Sequence, residues 1–180
     1  MTLYIFEGGD LSGKSTLAKY ISKKFKIPFI QRIKVTQRMF KDFIDLKGEI
    51  ETSSILKNLD FKKHDYVADR FLLSDIIYNK VYKRKYSTQW AHDAFKNLKN
   101  YKLFYVRAPI CEIEKRFKTR GDMLIDFNKL SELHTEYEKF IFKQVEFGDN
   151  QNIYIIENID LNTAKSCISK IIRGIKHEKR

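Results

Sequence analysis

The residues with the clearest chemical potential lie near the start of the chain. The run Gly-Gly-Asp-Leu-Ser-Gly-Lys-Ser-Thr over 8–16 satisfies the pattern Gly-x-x-x-x-Gly-Lys-Ser/Thr, whose backbone N–H groups surround phosphate oxygens. Glycines allow the turn, the lysine offers a charge to the β- and γ-phosphates, and the serine hydroxyl suits Mg²⁺. We therefore predict a nucleoside-triphosphate-binding loop formed by Gly8, Gly9, Asp10, Leu11, Ser12, Gly13, Lys14, Ser15 and Thr16.

A second polar group lies at the end of the strand-like run at 65–69, where Asp69 is followed directly by Arg70. A carboxylate at the carboxyl edge of a parallel sheet can reach Mg²⁺ or its waters. The planar fork of Arg70 suits bidentate binding of a second phosphate. The alternative is a structural salt bridge, which contributes about 0–1 kcal/mol when exposed.

A third group consists of Arg116 and Arg120, whose i, i+4 spacing puts both on one helix face. One interpretation is a mobile lid, over about 116–127, whose arginines neutralise a phosphoryl group during transfer. Gly121 would then serve as its hinge. The alternative is a solvated basic helix end.

These residues need a scaffold of alternating strands and helices. Strand-like runs at 3–6, 29–35, 65–69, 103–106 and 153–156 alternate with helical patterns at 17–25, 72–83, 88–98, 109–118, 128–146 and 162–175, and two helices are expected within 36–60. The order predicts an α/β fold of three layers, with a five-stranded parallel sheet flanked by helices. No linker or repeat divides the chain, so we expect a single domain over 1–180 with its ligand at the carboxyl ends of the strands.

Composition narrows the class of protein. Neither Cys111 nor Cys167 has a partner at metal-binding spacing, so we expect two buried thiols and no disulfide framework or zinc site. No signal peptide or membrane span is evident, which favours a cytoplasmic protein. The net charge of +12 invites a nucleic-acid partner, but the basic clusters are separated and no basic module interleaved with aromatic residues is evident. We favour solvated helix faces over a nucleic-acid site.

The motifs in chain order resemble thymidylate kinase and the related deoxynucleoside kinases. The resemblance rests on the run 6–16, on Asp69-Arg70-Phe71 with Ser74, Tyr78 and Asn79, on Arg116-x-x-x-Arg120-Gly121, and on Ile159-Asp160. It implies the P-loop NTPase fold, with ATP and Mg²⁺ at 8–16. It also implies transfer of the ATP γ-phosphoryl group to a deoxynucleoside monophosphate, favours dTMP, and is compatible with a homodimer.

The resemblance assigns roles to individual residues of the loop and of the strand end. Lys14 would polarise the transferred phosphoryl group, and Ser15 and Asp69 would hold Mg²⁺ or its waters. Asp10 would approach the 3′-hydroxyl of the acceptor sugar, and Arg70 would hold the acceptor phosphate.

The resemblance also implies how the acceptor pocket and the lid work. Phe71 would help to wall the acceptor pocket, and Tyr78 would disfavour a 2′-hydroxyl. Leu11 stands where one subtype has a catalytic arginine, so Arg116 and Arg120 are the implied catalytic arginines.

The chain departs from the family pattern in ways that leave the acceptor open. The run 42–59 contains no arginine for a thymine ring, and the carboxylate of Asp75 suits a base that presents N–H donors. A deoxynucleoside kinase is the second hypothesis, and it would need Glu7 or Asp69 as a general base. The third is a polynucleotide end kinase or nucleic-acid-binding NTPase.

Overall fold

The computed structural model describes residues 2–31, 64–85, 87–120, 126–146 and 151–177. Its centre is a parallel sheet whose strands are β1 (Leu3–Glu7), β2 (Phe29–Gln31), β3 (Tyr66–Asp69), β4 (Tyr101–Arg107) and β5 (Ile153–Glu157). The spatial order is β2-β3-β1-β4-β5, with every neighbouring pair parallel. All five residues of β1 are buried, as expected of a strand covered on both faces.

Six helices flank the sheet in the described ranges. They are α1 (Lys14–Phe25), α2 (Leu72–Val81), α3 (Gln89–Lys96), α4 (Ile110–Arg120), α5 (Phe127–Glu146) and α6 (Leu161–His177). One apolar core joins the sheet to α2, α3 and α5, and a second core joins its other face to α1 and α6. The predicted three-layer α/β fold with five parallel strands is therefore confirmed. No helix in the described ranges is both long and apolar enough to cross a bilayer.

Several expectations from the sequence lie partly or wholly outside the described residues. The two helices predicted within 36–60 are outside them, as is the end of the strand predicted over 29–35. Of the lid predicted over about 116–127, residues 116–120 form the end of α4, residue 127 begins α5, and 121–125 are outside. The lid and the single-domain boundaries stay predictions.

The expectation of buried thiols is wrong. Cys111 and Cys167 are both exposed. Each lies on an amphipathic helix but off its buried stripe, two positions before Ile113 in α4 and one before Ile168 in α6, so the helical period turns the cysteine outward.

The parallel arrangement decides where polar groups can meet. β1 ends at Glu7, β3 at Asp69 and β4 at Arg107, all at the same edge of the sheet. The residues that follow these strands are neighbours in space although up to a hundred positions separate them in the chain. This edge carries the candidate site.

Candidate active site

The turn after β1 has a geometry that only glycine satisfies at two positions. Gly8 has φ 145°, and a Cβ there would lie 2.2 Å from the carbonyl oxygen of Val106. Gly13 has φ 88°, caps α1, and would place a Cβ 2.1 Å from Nδ2 of Asn158. Both backbone angles are in the region that L-residues rarely adopt. The loop therefore passes close to the ends of β4 and β5 and leads directly into the N-terminus of α1, a favourable position for an anion.

Lys14 lies inside this loop. Its ammonium donates a hydrogen bond to the Gly9 carbonyl at 3.1 Å and stands 3.7 Å from Oδ1 of Asp10. The side chain is 5% exposed. Burial, assisted by the nearby positive charge of Arg70, lowers the pKa of Lys14 to about 8. A bound polyphosphate would offset this cost because it brings negative charge to the ammonium.

Asp10 connects the loop to the residues that follow β3. Its carboxylate forms an ion pair with Arg70 through Oδ1 and accepts a hydrogen bond from the Tyr78 hydroxyl at 2.8 Å through Oδ2. The Arg70 guanidinium lies 4.8 Å from the centre of the Tyr78 ring. Burial raises the pKa of Asp10, but the charges of Arg70 and Lys14 outweigh that effect and hold the pKa below its usual range. The cluster thus keeps an ionised carboxylate beside the phosphate loop.

Glu7 fixes the turn that presents Arg70. Its carboxylate is completely buried and accepts hydrogen bonds from the backbone N–H groups of Phe71 and Ser74, at 2.7 and 3.2 Å. It also accepts from the hydroxyls of Ser74 and Tyr137, at 2.7 and 3.0 Å. Arg70 itself has φ 66°, an uncommon angle for a side chain of its size. Three of these bonds tie the end of β1 to the start of α2, the fourth ties it to α5, and together they hold this turn in place.

Asp69 and Ser15 are the groups that would hold a metal ion. Asp69 is 8% exposed at the end of β3, and its Oδ1 accepts no hydrogen bond from the described residues. Ser15 is half-buried in the first turn of α1. No group of three or more His, Cys, Asp or Glu side chains in the described part of the chain is arranged to bind a metal. This donor set fits Mg²⁺, which typically takes one or two protein oxygens together with phosphate oxygens and waters.

His134 supports the loop from the opposite side. It lies on the buried face of α5, with Nε2 2.8 Å from the Asp10 carbonyl oxygen. Burial lowers the pKa of His134, so the neutral ring predominates and Nε2–H donates to that carbonyl. A Cβ on Gly9 would lie only 2.5 Å from Nε2, so the ring fills the space against the loop.

Arg116 and Asn158 contact the outer side of the loop. The Arg116 guanidinium donates to the carbonyl oxygens of Leu11, at 3.0 Å, and of Asn158, at 2.6 Å. The Asn158 side-chain amide donates to the Ser12 carbonyl at 2.6 Å. These bonds satisfy the Leu11 and Ser12 carbonyls of the loop without using the loop's own N–H groups.

Known proteins resemble this chain in sequence and in fold. No protein-family model matches the sequence. The chain is 29% identical over 150 residues to the SPbeta prophage-derived uncharacterized protein YorR of Bacillus subtilis strain 168, covering 76% of this chain and 81% of YorR.

Solved structures give the fold. The deoxyadenosine kinase from M. mycoides with bound dCTP superimposes with a TM-score of 0.68 at 23% identity, covering 97% of this chain and 100% of the kinase. Thymidylate kinase from Candida albicans gives a TM-score of 0.66 at 17% identity, covering 97% of this chain and 92% of that enzyme. The chain has the P-loop kinase fold. YorR, in its complex with phosphorylated GDP, also has this fold, with a TM-score of 0.63, 20% identity, and coverage of 99% of this chain and 98% of YorR.

Within the P-loop kinase fold, the remaining residues singled out from the sequence occupy different environments. Phe71 and Asp75 are buried at the start of α2, and Phe71 belongs to the apolar core that includes α5. Thr16 is exposed on α1. Arg120 is exposed in the last turn of α4, whereas Arg116, one turn earlier, lies against the loop. The predicted pair on one helix face therefore splits between a loop contact and solvent.

Two residues of the candidate site are absent from the predictions. His134 interrupts the apolar stripe formed by Leu130, Leu133 and Tyr137, and a histidine on the buried face of a helix is a detectable signal. Asn158 gives no such signal, since an asparagine after a strand is common in ordinary turns. Its contact with the loop depends on β5 lying next to β4.

Proposed function

We propose that the chain is an ATP-dependent kinase whose acceptor is a deoxynucleoside or a deoxynucleoside monophosphate. The observation that carries the proposal is the position of Asp10. Its backbone belongs to the phosphate-binding loop that contains buried Lys14, and its carboxylate belongs to the cluster with Arg70 and Tyr78. One residue therefore joins a site for the triphosphate donor to a polar site suited to a sugar acceptor.

The transfer would depend on positioning and charge. The acceptor oxygen attacks the γ-phosphorus, the bond from that phosphorus to the β,γ-bridging oxygen breaks, and ADP leaves. Lys14 and the loop N–H groups would stabilise the negative charge of the phosphoryl group. Mg²⁺, when bound through Ser15 and Asp69, would neutralise charge on the β- and γ-phosphates.

The cluster of Asp10, Arg70 and Tyr78 supports recognition of a deoxyribose. The ionised carboxylate of Asp10 is an acceptor for the 3′-hydroxyl of a sugar. Tyr78, whose hydroxyl is bonded to Asp10 at 2.8 Å, would stand beside that sugar and leave little room for a 2′-hydroxyl. The buried carboxylate of Asp75 would favour a base that presents N–H donors.

The resemblance favours a deoxynucleoside monophosphate as the acceptor, and among these it favours dTMP. Arg70 would hold the phosphate of this acceptor. To do so Arg70 would exchange its ion pair with Asp10 for the acceptor phosphate. The same ion pair favours the second candidate, a deoxynucleoside kinase, because it already neutralises Arg70 and an uncharged acceptor requires no exchange. Such an enzyme would need Glu7 or Asp69 to accept the proton of the 5′-hydroxyl.

A product assay tests the function and separates the two acceptors. The purified protein is incubated with ATP and one acceptor at a time, with and without Mg²⁺, and the nucleotide products are separated by anion exchange. The acceptors are the four deoxynucleosides, their monophosphates and short oligonucleotides. A monophosphate acceptor yields a diphosphate, and a nucleoside acceptor yields a monophosphate. The proposal would be contradicted if none of these acceptors increased the formation of ADP.

Variants assign the activity to this site. We expect Lys14→Ala to abolish turnover in a protein that remains folded, and Lys19→Ala, an exposed lysine on the same helix, to have no effect. Turnover by the Lys14 variant would contradict the assignment. Arg120→Ala should lower kcat much more than it raises KM if this arginine neutralises the transferred group. A change in KM alone would give Arg120 a binding role.

A further inference from the structure

The helices α1 and α6 differ from the other described helices because they contain no acidic residue. Neither α1 (Lys14–Phe25) nor α6 (Leu161–His177) contains an aspartate or a glutamate. Apart from the loop lysine, they and the residue that caps α1 carry eight basic side chains, which we call the α1–α6 face: Lys19, Lys23, Lys24, Lys26, Lys165, Lys170, Arg173 and Lys176. Six of these are exposed and two are half-buried.

The fold brings these basic residues onto one surface. Leu17 and Ile21 of α1 and Ile168 of α6 point into the same apolar core, so both helices turn their polar sides to solvent. The two helices meet directly, because Lys24 donates a hydrogen bond to the Ser169 hydroxyl at 3.0 Å across 145 residues of sequence. Basic clusters that are far apart in the sequence therefore lie on two neighbouring helices.

Aromatic rings lie between these lysines. The ammonium groups of Lys24 and Lys165 each stand 5.1 Å from the centre of the Tyr20 ring. Lys24 and Lys176 lie 6.0 and 5.5 Å from the centre of the Phe25 ring. The sequence shows no basic module interleaved with aromatic residues, because these contacts occur between two helices and not along the sequence.

The positive charge of this face is largely uncompensated. On α5, Lys129 pairs with Glu132 at 2.6 Å and Lys139 pairs with Glu136 at 3.0 Å. On the α1–α6 face, only Lys176 has a carboxylate of the described residues within 4 Å, that of Asp65 at 3.7 Å. Cations without a carboxylate partner keep their field available to an external polyanion.

We propose that the α1–α6 face binds the phosphate backbone of a nucleic acid. Lys165 and Lys176 are eleven positions apart, which corresponds to about 16 Å of helix and to about five successive phosphates of one DNA strand. A membrane surface fits less well, since an interfacial helix exposes large apolar residues. The exposed large apolar side chains among the described residues lie elsewhere, at Tyr82, Ile110, Phe142, Ile155 and Ile159.

This binding would be separate from the nucleotide site. The basic residues begin at Lys19, three positions after the phosphate loop ends at Thr16, and continue towards the C-terminal end of α1. None of them contacts the Asp10 cluster. The proposal therefore does not depend on the kinase activity, and a protein without turnover could still be tested for it.

Binding can be measured by fluorescence anisotropy with a labelled 20-nucleotide single strand and with the matching duplex. Neutralisation of about five phosphates predicts a slope near −4.5 for log K against log salt, or about a 500-fold loss of duplex affinity from 50 to 200 mM salt. The variant Lys23→Gln, Lys170→Gln, Arg173→Gln should lower the magnitude of this slope by up to about 2.7 and reduce affinity more than tenfold at 100 mM salt.

The matched control removes the same charge from α3 and α5, through Lys96→Gln, Lys139→Gln and Lys143→Gln. The control should retain the slope, and circular dichroism should show both variants folded. Equal loss in the two variants would overturn the proposal, because binding would then follow net charge and not this face. Absence of binding at 50 mM salt, or binding to phosphatidylserine vesicles without binding to either oligonucleotide, would overturn it as well.

Discussion

The contact between Gly9 and His134 allows a quantitative test of how α5 supports the phosphate loop. The substitution Gly9→Ala would place a Cβ 2.5 Å from Nε2 and 2.6 Å from Cε1 of the His134 ring. Ordinary contact begins at 3.4 Å, so the ring or the loop must move by about 0.9 Å. Among the glycines that the structure describes, only Gly8 and Gly13 have a positive φ, so an alanine at Gly9 meets a steric obstacle without the strain of a left-handed backbone.

The cost can be estimated from this geometry. Overpacking in a filled site costs about 1–3 kcal/mol, and displacement of the ring would also weaken its hydrogen bond to Asp10, worth about 1 kcal/mol. We expect Gly9→Ala to lower the free energy of unfolding by about 2–3 kcal/mol. His134→Ala removes the bond and opens a cavity, with a similar cost. In the double variant the new methyl group enters the space that the ring has left.

The assay is a double-mutant cycle measured by urea unfolding, with ATP affinity as a second readout. The double variant should be more stable than the sum of the single effects predicts, by about 1–2 kcal/mol. The control cycle uses Gly13→Ala with Asn158→Ala, where rescue should be smaller, because φ at Gly13 is 88° and the backbone strain persists without the amide. Additive energies in the Gly9–His134 cycle would refute the reasoning.

The remaining predictions concern three charged groups. Because the pKa of Lys14 is lowered to about 8, affinity for ATP should fall above pH 8 by up to about tenfold per pH unit, as the ammonium loses its proton. The control Lys14→Met should bind ATP weakly, with an affinity that does not change with pH. A wild-type affinity that does not change with pH would contradict this prediction. The same shift makes the free energy of unfolding rise as the pH increases from about 8 towards 10.5, because the unfolded chain there binds more protons. Asp10→Asn should raise KM for the acceptor about 10- to 100-fold, through loss of a charged hydrogen bond worth about 1.5–3 kcal/mol, with ATP affinity nearly unchanged. A loss confined to ATP would show that Asp10 serves only the loop. Glu7→Gln should lower the free energy of unfolding by about 2–3 kcal/mol, since a neutral amide would replace a buried charged acceptor of four hydrogen bonds and its N–H₂ group cannot accept two of them. The exposed control Glu146→Gln should change it by under about 0.5 kcal/mol. Equal stability of these two variants would contradict the four-bond arrangement.

The parts of the fold that follow from local pattern could be predicted. Apolar strand runs that alternate with amphipathic helices predicted the parallel sheet. In strands and in helices the spacing of apolar residues shows which faces are covered by other elements. The loop at 8–16 could be identified because its constraints are local: Gly8 and Gly13 need backbone angles that other residues avoid, and Lys14 follows directly.

Contacts between distant elements could not be derived in the same way. Arg116 and Arg120 share a helix face by spacing, but only the position of α4 beside the loop turns Arg116 towards the carbonyl of Leu11. His134 reaches Asp10 across 124 positions, and nothing in either local sequence specifies the register between α5 and the loop.

The sequence by itself determined that a phosphate-binding loop joins a strand to a helix within an α/β sheet, because periodicity and glycine stereochemistry are properties of short segments. Only the tertiary structure decided what surrounds that loop. Packing of α5 against one side and of α4 and β5 against the other supplied His134, Arg116 and Asn158 as its supports. The same packing placed α1 beside α6 and converted scattered lysines into one basic face, since the neighbours of a helix are set by the burial of its apolar side and not by its order in the chain.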